Sequence, residues 1–138
     1  MGYYTKHLFR IVGKKQPTVN DYKELAKVII RVSEGEISAL KIHDGVMDDS
    51  NYNTADGAKW YSFREQIRKI ARKIPEVEFT VDWMGETYHH GEPDKFKRWH
   101  FKNGELIEET VPDESEFNHT YYFGSGQPIF YDGMDEQL

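Results

Sequence analysis

The sequence predicts an α+β domain, a two-layer sandwich in which helices cover one face of a mainly antiparallel sheet. Three observations predict it. Segments with a two-residue hydrophobic period alternate with segments of helical period. An Asn-Gly pair joins two strand-like runs late in the chain. The 138 residues suit one domain, long enough to hide roughly two-thirds of the unfolded surface in a single core.

Tyr3 to Val12 sets Tyr3, Thr5, His7, Phe9 and Ile11 on one face and Lys6 and Arg10 on the other, the pattern of a half-buried strand. Pro17 precedes Thr18, and Thr18 with Asp21 three residues on matches a capping box, which satisfies helix amides that have no partner inside the helix. The helix so opened carries Val19, Tyr22, Leu25, Ile29 and Val32 as one apolar stripe. It runs from Val19 to Glu34, with Gly35 as the left-handed residue that ends it. Ile37 to His43 is short, apolar and β-branched, as a buried strand requires. The segment DGVMDDSNYNTADGAK then reads as a long loop.

A second capping box, Ser62 with Glu65, opens a helix whose stripe is Phe63, Ile67, Ile70, Ala71 and Ile74 and which Pro75 closes. Val77, Phe79, Val81 and Trp83 alternate with Glu78, Thr80 and Asp82, one face core and the other wet. Lys95 to Lys102 and Glu105 to Val111 flank Asn103-Gly104, whose tolerance of positive φ suits a type I′ hairpin. This order of elements folds as a ferredoxin-like sandwich, with right-handed crossovers where strands run parallel. The domain spans residues 1–111. From Pro112 the chain turns acidic and aromatic, and residues 112–138 read as an appended arm or, alternatively, as a final edge segment packed on the domain.

The absence of cysteine excludes a disulfide framework, thiolate zinc sites and a cysteine nucleophile, and fits a reducing cytosol. The opening MGYYTKHLFR has no signal-peptide apolar stretch, and Lys6 stands where myristoylation requires Ser or Thr, so neither export nor lipidation is expected. For the same reason the sequon Asn118-His119-Thr120 has no route to glycosylation. The net charge of −6 is unevenly spread: beyond Lys102 there is no base, and the last 36 residues carry −9. The first 102 residues hold +3. Such a dipolar chain is steered toward oppositely charged partners.

Trp60-Tyr61 ahead of the second helix, the run IPEVEF from Ile74 to Phe79, Gly85-Glu86, and Asp94, Trp99, Phe101 and Gly104 in the hairpin together resemble the YubB-type ferredoxin-like domain of phage and plasmid proteins. The likeness extends from Lys59 to Glu105. It implies an architecture and a mobile-element origin, and carries no catalytic motif onto these positions.

His89, His90, Glu92 and Asp94 share a loop that could approach His100, a donor set suited to zinc. Adjacent histidines point to opposite sides of an extended chain and no helical metal spacing is present, so a solvated loop is expected and no cofactor. Asp49, Asn51 and Asn53 invite calcium, yet Thr54 and Trp60 stand where an EF-hand needs Gly and Glu. His7, Glu86 and His100 would make an acid/base set if they converged, although His7 lies on an apolar face and reads as core. Arg64, Arg68 and Arg72, with Lys69 and Lys73, form a basic helical stripe that is either a grip on phosphates or a solvated face.

These features point to a non-catalytic phage or mobile-element binding protein that occludes a host nucleic-acid-processing defence protein, in the manner of anti-CRISPR counter-defence. Its carboxylates at Asp44, Asp48, Asp49, Asp56, Glu108, Glu109, Asp113, Glu114 and Glu116 would enter a basic groove, anchored by Tyr121, Tyr122, Phe123 and Phe130. The competing readings are a small metal-dependent hydrolase or nucleotide-binding protein using the His-rich loop, and an RNA- or DNA-binding domain using the basic second helix.

Overall fold

The alternating N-terminal segment forms strand β1 (Thr5–Ile11), and the first capping box opens helix α1 (Val19–Val32). The computed structural model of the chain describes residues 5–34, 36, 37, 39–43, 45–48, 62–85, 96–112 and 127–131. The capping box is complete. Asp21 N–H donates to Thr18 Oγ1 at 3.1 Å, Thr18 N–H donates to Asp21 Oδ2 at 2.8 Å, and Lys14 Nζ steadies the same carboxylate at 2.9 Å. These bonds hold the Asp21 carboxyl below its ordinary pKa, the Thr18 amide contributing most. Tyr22, Leu25, Ile29 and Val32 are buried as the stripe predicts, whereas Val19 in the first turn is 56% exposed. Glu34 after α1 is in the left-handed region, at φ 54°, and the expected Gly35 lies outside the described residues. Ser33 Oγ makes that tight turn possible by donating to Ile30 O and accepting from Ile37 N–H, both at 3.1 Å.

Strands β2 (Ala39–His43) and β3 (Val46–Asp48) follow, β3 lying inside the segment read as loop. Helix α2 (Phe63–Lys73) buries Phe63, Ile67, Ile70 and Ala71. Ser62 is its N-cap but makes no side-chain capping bond, so the second capping box does not form. Strands β4 (Phe79–Gly85), β5 (Phe96–Lys102) and β6 (Glu105–Thr110) complete a meander, and β7 (Gln127–Tyr131) comes last. Asn103 and Gly104, at φ 55° and 81°, turn β5 into β6 as the hairpin reading requires.

The strands form one sheet in the order β6-β5-β4-β1-β3-β2-β7, and every neighbouring pair is antiparallel. β1 and β2 therefore run parallel with β3 between them, and β3 and β4 run parallel with β1 between them. Helices α1 and α2 are the two crossovers. Both bury their stripes against one sheet face, in a core that includes Phe9, Ile11, Leu40, Met47, Phe79, Val81, Trp83, Trp99 and Phe101. Under α2 the aromatic rings are in contact: Phe63 lies 4.9 Å from Trp83, Trp83 lies 5.6 Å from Trp99, and Phe79 stacks on Phe101 at 5.2 Å. Such pairs add about 0.5–1.5 kcal/mol each beyond the area they bury. Residues 127–131 follow the second of the two readings of the C-terminal stretch: they pair with β2 and are the outermost of the described strands on that side.

Candidate functional site

Among the described strands, β6 is the outermost of the sheet on the β5 side. Its ladder with β5 passes from Glu108 directly to Leu106, so Ile107 is the extra residue of a bulge. A bulge on an edge strand twists it away from further pairing and re-aims its side chains. Glu105, Ile107, Glu108, Glu109 and Val111 are all exposed, Ile107 by 52% and Val111 by 73%, so carboxylates alternate with bare aliphatic groups. Leu106 turns inward and packs on the core.

Glu109 belongs to this edge but is tied into the body. Its Oε1 accepts from Lys97 Nζ at 2.7 Å and its Oε2 from the indole N–H of Trp99 at 2.8 Å. Those two hydrogen bonds, Lys97 first, pull the carboxyl below its ordinary pKa and keep it charged. The Arg68 guanidinium lies over the same indole, 5.7 Å from its centroid. Nothing in the sequence announces this cluster, because it depends on the strand register that the Ile107 bulge sets.

The sheet face opposite α1 and α2 carries a second arrangement. One row of paired residues crosses five strands: Arg98, Asp82, Leu8, Asp48 and Lys41, on β5, β4, β1, β3 and β2. Asp82 accepts from Arg98 Nε at 2.6 Å, from Arg98 Nη2 at 2.9 Å and from Arg10 Nη1 at 2.7 Å. Leu8 and Asp48 are wholly buried, and Lys41 and Asp82 are 1% exposed. The face expected to be wet on β4 is therefore closed to solvent at Asp82 and at Thr80, which is 8% exposed. Buried charges persist only when paired and hydrogen-bonded, and Asp82 meets that requirement with two arginines. Asp48, wholly buried, is not exposed to a docking protein, so it leaves the set of candidate docking carboxylates.

His7 is buried on the helix side of β1, its ring edge-on to Phe63 at 4.9 Å. It takes the core role anticipated for it. His100 pairs with Glu78, Nε2 to Oε2 at 2.7 Å, on the opposite sheet face, so His7 and His100 do not converge. Among the described residues no group of three or more His, Asp or Glu side chains is placed to hold a metal ion. Phe130 stands on β7 opposite Leu40. Asp44, Asp49, Asp56, Asp113, Glu114, Glu116, Tyr121, Tyr122 and Phe123 lie outside the described residues, as do Glu86, His89, His90, Glu92 and Asp94. Among the described residues no helix is long and apolar enough to cross a membrane. No protein-family model, curated protein or solved structure matches this chain.

Proposed function

We propose that this chain is a non-catalytic binding protein of a phage or other mobile element, and that it docks in the cytosol on a basic host protein that processes nucleic acid. The role is counter-defence of the anti-CRISPR kind, by occlusion. The observation that carries the reading is the β6 edge, where Glu105, Glu108 and Glu109 and the aliphatic Ile107 and Val111 are all exposed. Carboxylates around exposed aliphatic groups suit a partner that is basic at its rim and apolar at its centre. Two copies of this edge would set carboxylate against carboxylate, so the chemistry favours a different partner over a second copy. The fold we assign is the ferredoxin-like sandwich. The connectivity β1-α1-β2-β3-α2-β4 with spatial order β4-β1-β3-β2 supports it, β5, β6 and β7 being additions at the two edges. The resemblance of residues 59–105 to the YubB-type domain falls on α2, β4 and β5 and agrees with that assignment.

The test is capture of host proteins on the immobilised chain, followed by assay of the captured nuclease or nucleic-acid-binding activity. A basic host protein should be retained in a salt-sensitive way, lose activity when bound, and escape from Glu105→Lys with Glu108→Lys and from Ile107→Ser. Retention that ignores all three substitutions, or a captured enzyme that stays active, rejects the reading.

A further inference from the structure

The cations of this acidic chain are not distributed alike between its two layers. On the sheet and its flanking loop, Arg10, Lys14, Lys97 and Arg98 are each held by a carboxylate at 2.6 to 2.9 Å. On α2, Arg64, Arg68, Lys69, Arg72 and Lys73 are all exposed, and none of them forms an ion pair among the described residues. In a chain with 24 carboxylates this one eleven-residue helix carries five cations and a single acid, Glu65. Solvation alone tolerates this pattern, but it does not account for two further features.

The first is that two of the arginines, Arg64 and Arg68, are held in place. Arg64 Cζ lies 4.7 Å from the centroid of the Phe63 ring and 5.0 Å from that of Trp83, and Arg68 Cζ lies 5.7 Å from that of Trp99. A guanidinium resting on an aromatic face keeps its N–H fork available while losing side-chain freedom before any ligand arrives, which lowers the entropic cost of binding. The second is spacing. Arg64, Arg68 and Arg72 succeed one another by four residues, about 6 Å of helix rise per step. That repeat is of the same order as the separation of neighbouring phosphates along one nucleic-acid strand. Beside this row a groove of about 230 Å³ between the helices brings Arg31 of α1 next to Lys69 and Lys73, over Val28 and Val32. Among the described residues, Glu34 is the one carboxylate at its rim.

We propose that the outer face of α2, with the adjoining groove, is a nucleic-acid backbone site: a repeating phosphate chain lies along Arg64, Arg68 and Arg72, with Lys69 and Lys73 as flanking charges. The fork geometry of arginine fits phosphate oxygens in pairs, and a linear row suits a polymer of anions better than one small anion. The overall net charge of −6 repels nucleic acid from the rest of the surface, so the site also orients the molecule on its ligand. The site goes beyond the host-protein docking proposed above and does not depend on it.

Fluorescence anisotropy with the full chain and two labelled 20-mers, duplex DNA and single-stranded RNA, tests this at low salt and across a salt series. Binding to at least one should appear, and log affinity should fall linearly with log salt concentration. Arg68→Glu and Arg72→Glu should each weaken binding at least about tenfold and reduce the salt slope by about one or more. Lys15→Glu changes the net charge equally but lies off α2, and should leave affinity within about twofold. Because charge reversal can disturb folding, the wild-type chain supplies a second readout: bound nucleic acid should protect Lys69 and Lys73, but not Lys15, from acetylation. Absence of binding at low salt overturns the proposal. So do equal losses from Lys15→Glu and Arg72→Glu, or unprotected Lys69 and Lys73 in a saturated complex.

Discussion

Asp82 grips Arg98 with both carboxylate oxygens, Nε to Oδ1 at 2.6 Å and Nη2 to Oδ2 at 2.9 Å, and shares Oδ2 with Arg10. One buried acid thus ties β4 to β5 and β1 on the sheet face opposite α1 and α2. Asp82→Ala would leave two guanidinia without their anion in a partly closed site. Removing one member of a buried pair costs about 3–5 kcal/mol, and the 21% and 27% exposure of the arginine side chains places the loss near the lower end. Urea unfolding should show it as a lower midpoint at unchanged slope. A midpoint equal to that of the wild type would mean that water replaces Asp82 without penalty.

Tyr22 joins three elements through one hydroxyl, which accepts from Ile11 N–H at 3.1 Å and donates to Gly45 O at 2.6 Å. Tyr22→Phe keeps the ring and strands both backbone groups, so a loss of about 1–3 kcal/mol is expected. Burial raises the phenol pKa above its ordinary value of 10.0. A raised folded-state pKa gives a contribution that is complete below the unfolded value and is lost as pH climbs through the folded one. The difference between wild type and Tyr22→Phe should therefore hold steady from neutrality to about pH 9 and shrink only in stronger alkali. A difference that shrinks toward acid would contradict this account.

Gly104 closes the β5–β6 hairpin at φ 81°, where a Cβ would sit 3.4 Å from both Ala71 O and the Pro75 side chain. Gly104→Ala should cost about 1–2 kcal/mol from the left-handed backbone alone. Asn103→Gly, at φ 55°, should be near neutral or slightly stabilising. Thermal melts of the two variants decide it, and a reversed order of stability would rule out the turn as described.

Glu109 should titrate below its ordinary 4.5, because the charged form accepts from Lys97 and from the Trp99 indole. Its contribution is present above the unfolded value and disappears as pH falls through the lowered folded one. Carboxyl carbon shifts measured by NMR should place its midpoint below those of freely solvated glutamates, and Lys97→Met should raise it more than Trp99→Phe does. A midpoint indifferent to both substitutions would separate Glu109 from this cluster.

Much of the helix side was legible because local rules and burial agree there. Thr18 with Asp21 caps α1, Phe63, Ile67, Ile70 and Ala71 face inward, and Asn103-Gly104 reverses the chain where positive φ is cheap. What escaped was set by pairing across the sheet. β3 is three residues long, too short for a periodic signal, yet Asp44-Gly45 ahead of it is the same kind of turn dipeptide as Asn103-Gly104. The polar face of β4 looked wet because Thr80 and Asp82 are polar. Leu8, opposite Asp82 and among the polar positions of β1, was the residue that marked that face as closed. Ser62 with Glu65 has the letters of a capping box, but Ser62 sits at ψ 23°, away from the extended backbone that such a cap uses. The exposure of Ile107 came from a bulge, which no alternation of residue types encodes.

Leu40 on β2 and Phe130 on β7 are cross-strand partners although ninety residues separate them along the chain. Closing so long a loop is slow relative to the local hairpins and helix crossovers, so β2 should spend the early life of each folding molecule as an open edge. During that interval its neighbour could be any other strand, including β2 of a second nascent copy. The final strand thus acts in time as well as in space: the yield of correctly folded chain should depend on how soon residues 127–131 reach β2, and should fall as protein concentration rises.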